Sequence, residues 1–108
     1  LLSEEYGSRT IEFGAASPHV IGYIGNGSSP AEIGGLRAKA GDGRMIWTPG
    51  VSLTAAEGAL GQRYGHPGDA VRAGSDAVIV GSGIHGADDP KEASQSYAEA
   101  SWKALLGR

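Results

Sequence analysis

The 108-residue chain has no cysteine, which excludes disulfides and thiolate metal sites. Aromatics make up only 6% of it, with a single phenylalanine, Phe13. Its core must therefore come mostly from Ala, Val, Ile and Leu, which bury less area per residue than rings do. Basic charge is not in excess: the formal net charge of −3 leaves no electrostatic footprint for nucleic acid. No apolar run reaches the ~20 residues that cross a bilayer, so membrane insertion is not expected. The three histidines, His19, His66 and His85, have no metal-ligand spacing, and no metal site is expected. No signal peptide is visible. The chain starts at Leu1 rather than Met, which is compatible with removal of an organellar targeting segment, a mitochondrial one included. A soluble protein is expected, cytoplasmic or organellar, in a compartment the sequence leaves unknown.

What is present is glycine, 19 residues, about two and a half times ordinary usage. The length suits one domain over residues 1–108, with no internal repeat and no charge block. Short apolar runs read as strands near 1–4, 19–24, 45–48 and 77–81, bounded by Pro and Gly. Each is continuously apolar, the pattern of strands covered on both faces in a parallel sheet. Helical signals lie between and after them. Pro30 to Ala40 is a weak helix broken by Gly34-Gly35. Pro67 to Ala73 has Pro first and Gly74 just past its end. Asp89, Pro90 and Glu92 open the last helix as N-cap, N1 and N3, a near capping box. Ala93, Tyr97, Ala100 and Ala104 share one face of it, with Leu105 beside them. This order implies an α/β fold with four parallel strands, adjacent in chain order and joined by crossover helices.

Two places carry candidate chemistry. Gly81-Ser-Gly-Ile-His-Gly86 matches G-x-G-x-x-G after a strand. A dinucleotide site needs a helix beginning inside the motif and a second strand after it. Here the helix signal begins only at Pro90, so a plain turn or a phosphate-binding turn fits better, with the N–H groups of Gly81, Ser82 and Gly83 facing an anion. The second place is the loop after 45–48. Thr48-Pro-Gly-Val51 opens it, and Gln62, Arg63, Tyr64 and His66 follow, where barrel enzymes keep substrate contacts. Arg63 suits a phosphate and Tyr64 could donate to one; a solvated loop is the bland alternative. Glu4-Glu5 read as solvated, since neighbours on a strand point apart. Ser82 lacks the frame of a nucleophile elbow. Trp47 and Trp102 read as core or interface anchors.

Thr48-Pro-Gly-Val51, Ala59-Leu-Gly-Gln-Arg-Tyr64 and Ser75-Asp-Ala-Val-Ile-Val-Gly-Ser-Gly-Ile84, in that order and spacing, resemble the C-terminal half of eukaryotic-type orotidine 5′-phosphate decarboxylase, in degenerate form. The tail Ala87-Asp-Asp-Pro90, Tyr97 and Trp102 is similar to the family's last helix. Val20–Ile24 is similar to its sixth strand and Leu1–Ser8 to the end of its fifth. The resemblance implies half of a TIM (β/α)8 barrel, strands five to eight, from a usually homodimeric, cofactor-free enzyme of pyrimidine biosynthesis that converts orotidine monophosphate to uridine monophosphate. By position it implies that Gln62 and Tyr64 contact the nucleotide and its phosphate. Gly81 would offer an N–H to the phosphate, and Pro49 and Val51 would line the pyrimidine pocket.

The departures matter as much. The family's Val-Gly-Arg-Gly turn reads Val80-Gly-Ser-Gly83 here, so a cationic clamp becomes a hydroxyl, a loss of ~1.5–3 kcal/mol. Its Ser pair after strand five corresponds to Gly7-Ser8. Its second Gln becomes Arg63, a partial replacement for the lost cation. Its Asp-x-Lys-x-x-Asp array would precede Leu1, so no catalytic residue is assigned. Two functions follow. One is a non-catalytic pseudoenzyme half-barrel kept as a structural or interaction subunit of a larger assembly. The other is the C-terminal half of a split or processed decarboxylase, completed by an N-terminal chain. Either way the expected partners are protein chains covering the strand edges or barrel interior, with a nucleotide monophosphate as a further ligand.

Overall fold

A computed structural model describes residues 4–59 and 61–108, with side chains from Gly7 onward. Three helices begin where local chemistry says they should. Ser29 caps helix α2 (Pro30–Ala40) by accepting from the Glu32 N–H at 3.3 Å, with Pro30 in the first turn. His66 caps α3 (Pro67–Ala73) through Nδ1, which accepts from the Gly68 N–H at 3.1 Å. Asp89 caps α5 (Pro90–Leu106) by accepting from the Glu92 N–H at 3.1 Å. The Gly34-Gly35 pair does not break α2. Two glycines cost ~1 kcal/mol each, but Ile33 beside them is fully buried and Arg37 is held by neighbouring carbonyls.

Three strands are present among the described residues: β1 (Gly22–Ile24), β2 (Met45–Thr48) and β3 (Ala77–Val78). They pair in parallel in the order β1-β2-β3, as the linker lengths imply, with Tyr23 opposite Ile46 and Thr48 opposite Val78. The ladder runs one residue further, since the Ile79 N–H donates to the Thr48 carbonyl at 2.8 Å. The expected first strand is not found. Leu1 to Ser3 lie outside the described residues, and Glu4 already belongs to helix α1 (Glu4–Ala15). Gly7-Ser8 are therefore helical, and Glu4 and Glu5 are neighbours on a helix rather than on a strand. The missed signal is a 3.6 period. Gly7, Ser8, Ile11 and Gly14 are the covered positions, Gly14 lies against the Tyr23 ring, and the Tyr23 hydroxyl donates to the Ile11 carbonyl at 3.2 Å.

The core lies on one face of the sheet. Ile33 of α2, Ile46 of β2, Val51, Ala70 of α3 and Tyr97 of α5 form its buried centre, with Val78, Val80 and Ile84 packed around it. Thr48 is buried on this face too, and its hydroxyl bonds that of Ser75 at 2.8 Å. The expectation of strands covered on both faces does not hold. Side chains alternate along β2, so Ile46 is 0% exposed while Trp47 is 41% exposed. Register puts Ile24 beside Trp47, and parity adds Ile79, at 65% and 41% exposure. That second face has no cover among the described residues. Trp47 is thus not in the core, nor is Trp102, which is 60% exposed on α5 together with Leu106.

The amino ends of β2 and β3 are locked by Arg37 and Asp76. The Arg37 guanidinium donates to the Gly74 carbonyl at 3.1 and 2.8 Å, to the Gly41 carbonyl at 2.8 Å and to the Arg44 carbonyl at 2.9 Å, and it pairs with Asp76. The same Asp76 oxygen accepts from the Ile46 N–H at 2.8 Å. Arg108 adds bonds to the Val71 and Ser75 carbonyls at 2.9 and 3.0 Å. No helix among the described residues is long and apolar enough to cross a membrane.

Candidate functional site

At the carboxyl ends of the strands, the β1–α2 and β2–α3 connections converge through backbone contacts. The Gly27 N–H donates to the Pro49 carbonyl at 3.0 Å, and the Gly65 N–H donates to the Gly50 carbonyl at 3.0 Å. A Cβ on Gly65 would overlap the Gly27 carbonyl oxygen, and a Cβ on Gly27 would overlap that of Pro49. Only glycine permits this approach. Val51 and Gly65 form a parallel bridge, and the Ser52 N–H donates to the Gly65 carbonyl at 2.8 Å. The loop 52–64 is thus a closed excursion with a fixed neck.

The loop holds the residues singled out by sequence, in unequal roles; Leu60 of the motif lies outside the described residues. Gln62 turns inward, where its carboxamide accepts from the Ala56 N–H at 3.1 Å and donates to the Ala56 carbonyl at 3.0 Å. Arg63 and Tyr64 are both exposed, with the guanidinium over the ring at 5.4 Å from its centre, a cation–π contact. Pro49 is half-buried at the loop entry, whereas Val51 belongs to the core, so its side chain serves packing. His66 caps α3, and its Nε2 lies 3.6 Å from Glu57 Oε1.

The glycine turn departs from expectation. A single helical turn, α4 (Ser82–His85), begins inside the G-x-G-x-x-G motif rather than only at Pro90. Among the described residues no strand follows it, so the dinucleotide arrangement is still incomplete. The N–H groups of Gly81, Ser82 and Gly83 have no protein acceptor among the described residues, and all three residues are exposed. Gly83 lies so close to the Tyr97 hydroxyl that a Cβ would overlap it. That hydroxyl also accepts from the Leu53 N–H at 3.2 Å. Tyr97 therefore joins the turn, the 52–64 loop and α5, a role its place in a helical face pattern could not reveal.

An open groove of about 390 Å³ runs beside this junction, between the 52–54 segment, Gly83 and the start of α5. Asp88, Asp89 and Glu92 line it. Three carboxylates repel a phosphate, and Gly83 of the turn lines the same groove. Among the described residues no three His, Asp or Glu side chains converge as metal ligands would.

The model of one family, described as orotidine 5′-phosphate decarboxylase / HUMPS family, matches residues 4–97. The orotidine 5′-phosphate decarboxylase of Emericella nidulans is 36% identical over 109 residues, spanning all of this chain and 39% of that protein. That of Pichia kudriavzevii is 37% identical over 106 residues, 96% of this chain and 38% of that protein. The crystal structure of the Pyrococcus horikoshii OT3 enzyme superposes with a TM-score of 0.66 at 34% identity, covering 87% of this chain and 40% of that one. The Lactobacillus acidophilus enzyme gives a TM-score of 0.69 at 26% identity, covering 91% and 37%. The chain thus spans about 39% of the length of the curated relatives it matches.

Proposed function

The chain belongs to the orotidine 5′-phosphate decarboxylase / HUMPS family, and on that premise we propose that it is a non-catalytic half-barrel, a structural or interaction subunit of a larger assembly. The observation that carries this reading is the uncovered sheet face. Ile24, Trp47 and Ile79 form an apolar surface of the kind that marks an interaction site. The outer edges of β1 and β3 are unpaired among the described residues as well, and such edges invite another chain. The partner is a protein whose own strands continue the sheet and whose apolar side chains fill its inner face. Within the 108 residues no Asp-x-Lys-x-x-Asp array occurs, and Ser82 stands where the family's phosphate-clamping Arg belongs. Any residual nucleotide monophosphate affinity rests on Arg63, Tyr64 and the N–H groups of Gly81–Gly83, with Gln62 holding the loop.

The test is assembly and turnover together. Light scattering on the purified protein should report self-association or aggregation, and affinity purification followed by mass spectrometry should recover a stoichiometric partner. Orotidine monophosphate should be left unconverted. A soluble monomer with protected amides in all three strands, or turnover without a partner, would overturn the reading.

A second reading is favoured by the glycine-built convergence of Gly27, Gly50 and Gly65, because this end of the sheet is where barrel enzymes work. In it the chain is the C-terminal half of a split decarboxylase. Co-expression with the N-terminal part of a family member should then restore turnover; an inactive but well-assembled pair would exclude it.

A further inference from the structure

We infer that Asp69 and Arg72 are positioning residues that latch the 52–64 loop, and with it Arg63 and Tyr64, onto α3. The inference rests on the nucleotide reading above only for the ligand the loop would serve. The neck of the loop is fixed by the Val51–Gly65 bridge and the bonds around it, so its freedom lies at the outer edge. There the Asp69 carboxylate spans two elements. Oδ2 accepts from the loop's Gly58 N–H at 2.7 Å, and Oδ1 accepts from Arg72 Nη2 at 2.8 Å. Arg72 Nη2 also reaches Glu57 Oε2 at 3.4 Å, and His66 meets the other Glu57 oxygen.

These contacts differ in weight. The Asp69 side chain is 15% exposed and that of Glu57 62%. Charge-assisted bonds to a sheltered carboxylate are strong, whereas exposed pairs contribute little. Burial alone would raise the Asp69 carboxyl. The Arg72 hydrogen bond, the Gly58 N–H and the charges of Arg72 and His66 outweigh it and hold its pKa below the ordinary value. The latch reaches the candidate contact residues through Gln62. Its carboxamide clamps both backbone groups of Ala56, two residues before Gly58, and so ties Gln62 across the loop. A shift at Gly58 therefore moves the backbone that carries Arg63 and Tyr64.

Native-state hydrogen exchange on the protein and its Asp69→Asn, Arg72→Gln and Arg72→Lys variants tests this. Asp69→Asn and Arg72→Gln should speed exchange at Gly58 and its loop neighbours about tenfold or more, with α2 and β2 amides unchanged, because the opening is local. Arg72→Lys should recover most of the protection. Unchanged loop amides, or equal acceleration through α2 and β2, would overturn the latch. A calorimetric titration with uridine monophosphate separates this from the nucleotide reading. Several-fold weaker binding by Asp69→Asn and Arg72→Gln, with affinity largely retained in Arg72→Lys, supports positioning. Equal affinity with a loosened loop overturns it. No binding by the unmodified protein overturns the nucleotide reading and leaves the latch decided by exchange.

Discussion

The two ends of the sheet are built by opposite means. At the amino end, long side chains close the structure: Arg37 and Arg108 donate to the carbonyls of Gly41, Arg44, Val71, Gly74 and Ser75, and Asp76 accepts from the Ile46 N–H. At the carboxyl end the backbone approaches itself through Gly27, Gly50 and Gly65. There the exposed polar groups, Arg63, Ser82 and the turn N–H groups, are left without protein partners of the same kind. A polar group already satisfied contributes stability and nothing to a ligand. A group left open does the reverse. The fold thus gathers its side-chain hydrogen bonds at one end of the sheet and its close backbone approach at the other.

The largest effect should come from breaking the locked end. Arg37→Ala removes every bond of that guanidinium and leaves the Asp76 carboxylate with the Ile46 N–H and with Arg108 at 3.9 Å. With the pair's side chains 20% and 29% exposed, the cost is about 2–4 kcal/mol, read as a lower urea midpoint. A loss under about 0.5 kcal/mol would erase the contrast between the ends. At the open end, Ser82→Arg should leave the urea midpoint unchanged and strengthen uridine monophosphate binding by about 1.5–3 kcal/mol, roughly tenfold to a hundredfold in Kd. Unchanged affinity would mean that the turn no longer faces a phosphate.

Gly65→Ala sharpens the comparison, because it tests whether the open end also carries structure through backbone approach. The overlap with the Gly27 carbonyl should cost about 1–3 kcal/mol, without the loss of any polar group. A smaller contribution is acid-dependent. The folded pKa of Asp69 is lowered, so its stabilisation is complete above the unfolded value of about 3.9 and fades as pH falls through the lower folded value. Asp69→Asn should flatten that part of a stability–pH curve. Least of all, Arg63→Ala should change stability by under about 0.5 kcal/mol, since its guanidinium is exposed and, among the described residues, meets the Tyr64 ring alone.

Much of this was legible in the residues. The β2 run Met45–Thr48, the cap at Asp89 and the helix start at Pro67 were readable because each signal lies within a few residues. The motifs at 48–51, 59–64 and 75–84 carried the family. Helix α1 was not legible. Its glycines are weak helix formers, and its period is visible only once Tyr23 covers Gly14. Arg37 went unnoticed because its partners, Gly74 and Asp76, lie 37 and 39 residues away. Gln62 looked like a ligand contact, and only the folded loop shows its carboxamide on Ala56.

The sequence by itself determined the local structure: where the strands are apolar, where helices start, and which family the motifs match. Tertiary structure alone decided which polar groups are satisfied and which face of each strand is covered. An apolar run such as Met45-Ile-Trp-Thr48 offers both faces alike, and only the helices packed on Ile46 and Thr48 make one of them core. The reason is physical. Propensity and capping act within one or two turns of chain, while burial and long-range hydrogen bonds depend on which distant segments the fold brings together.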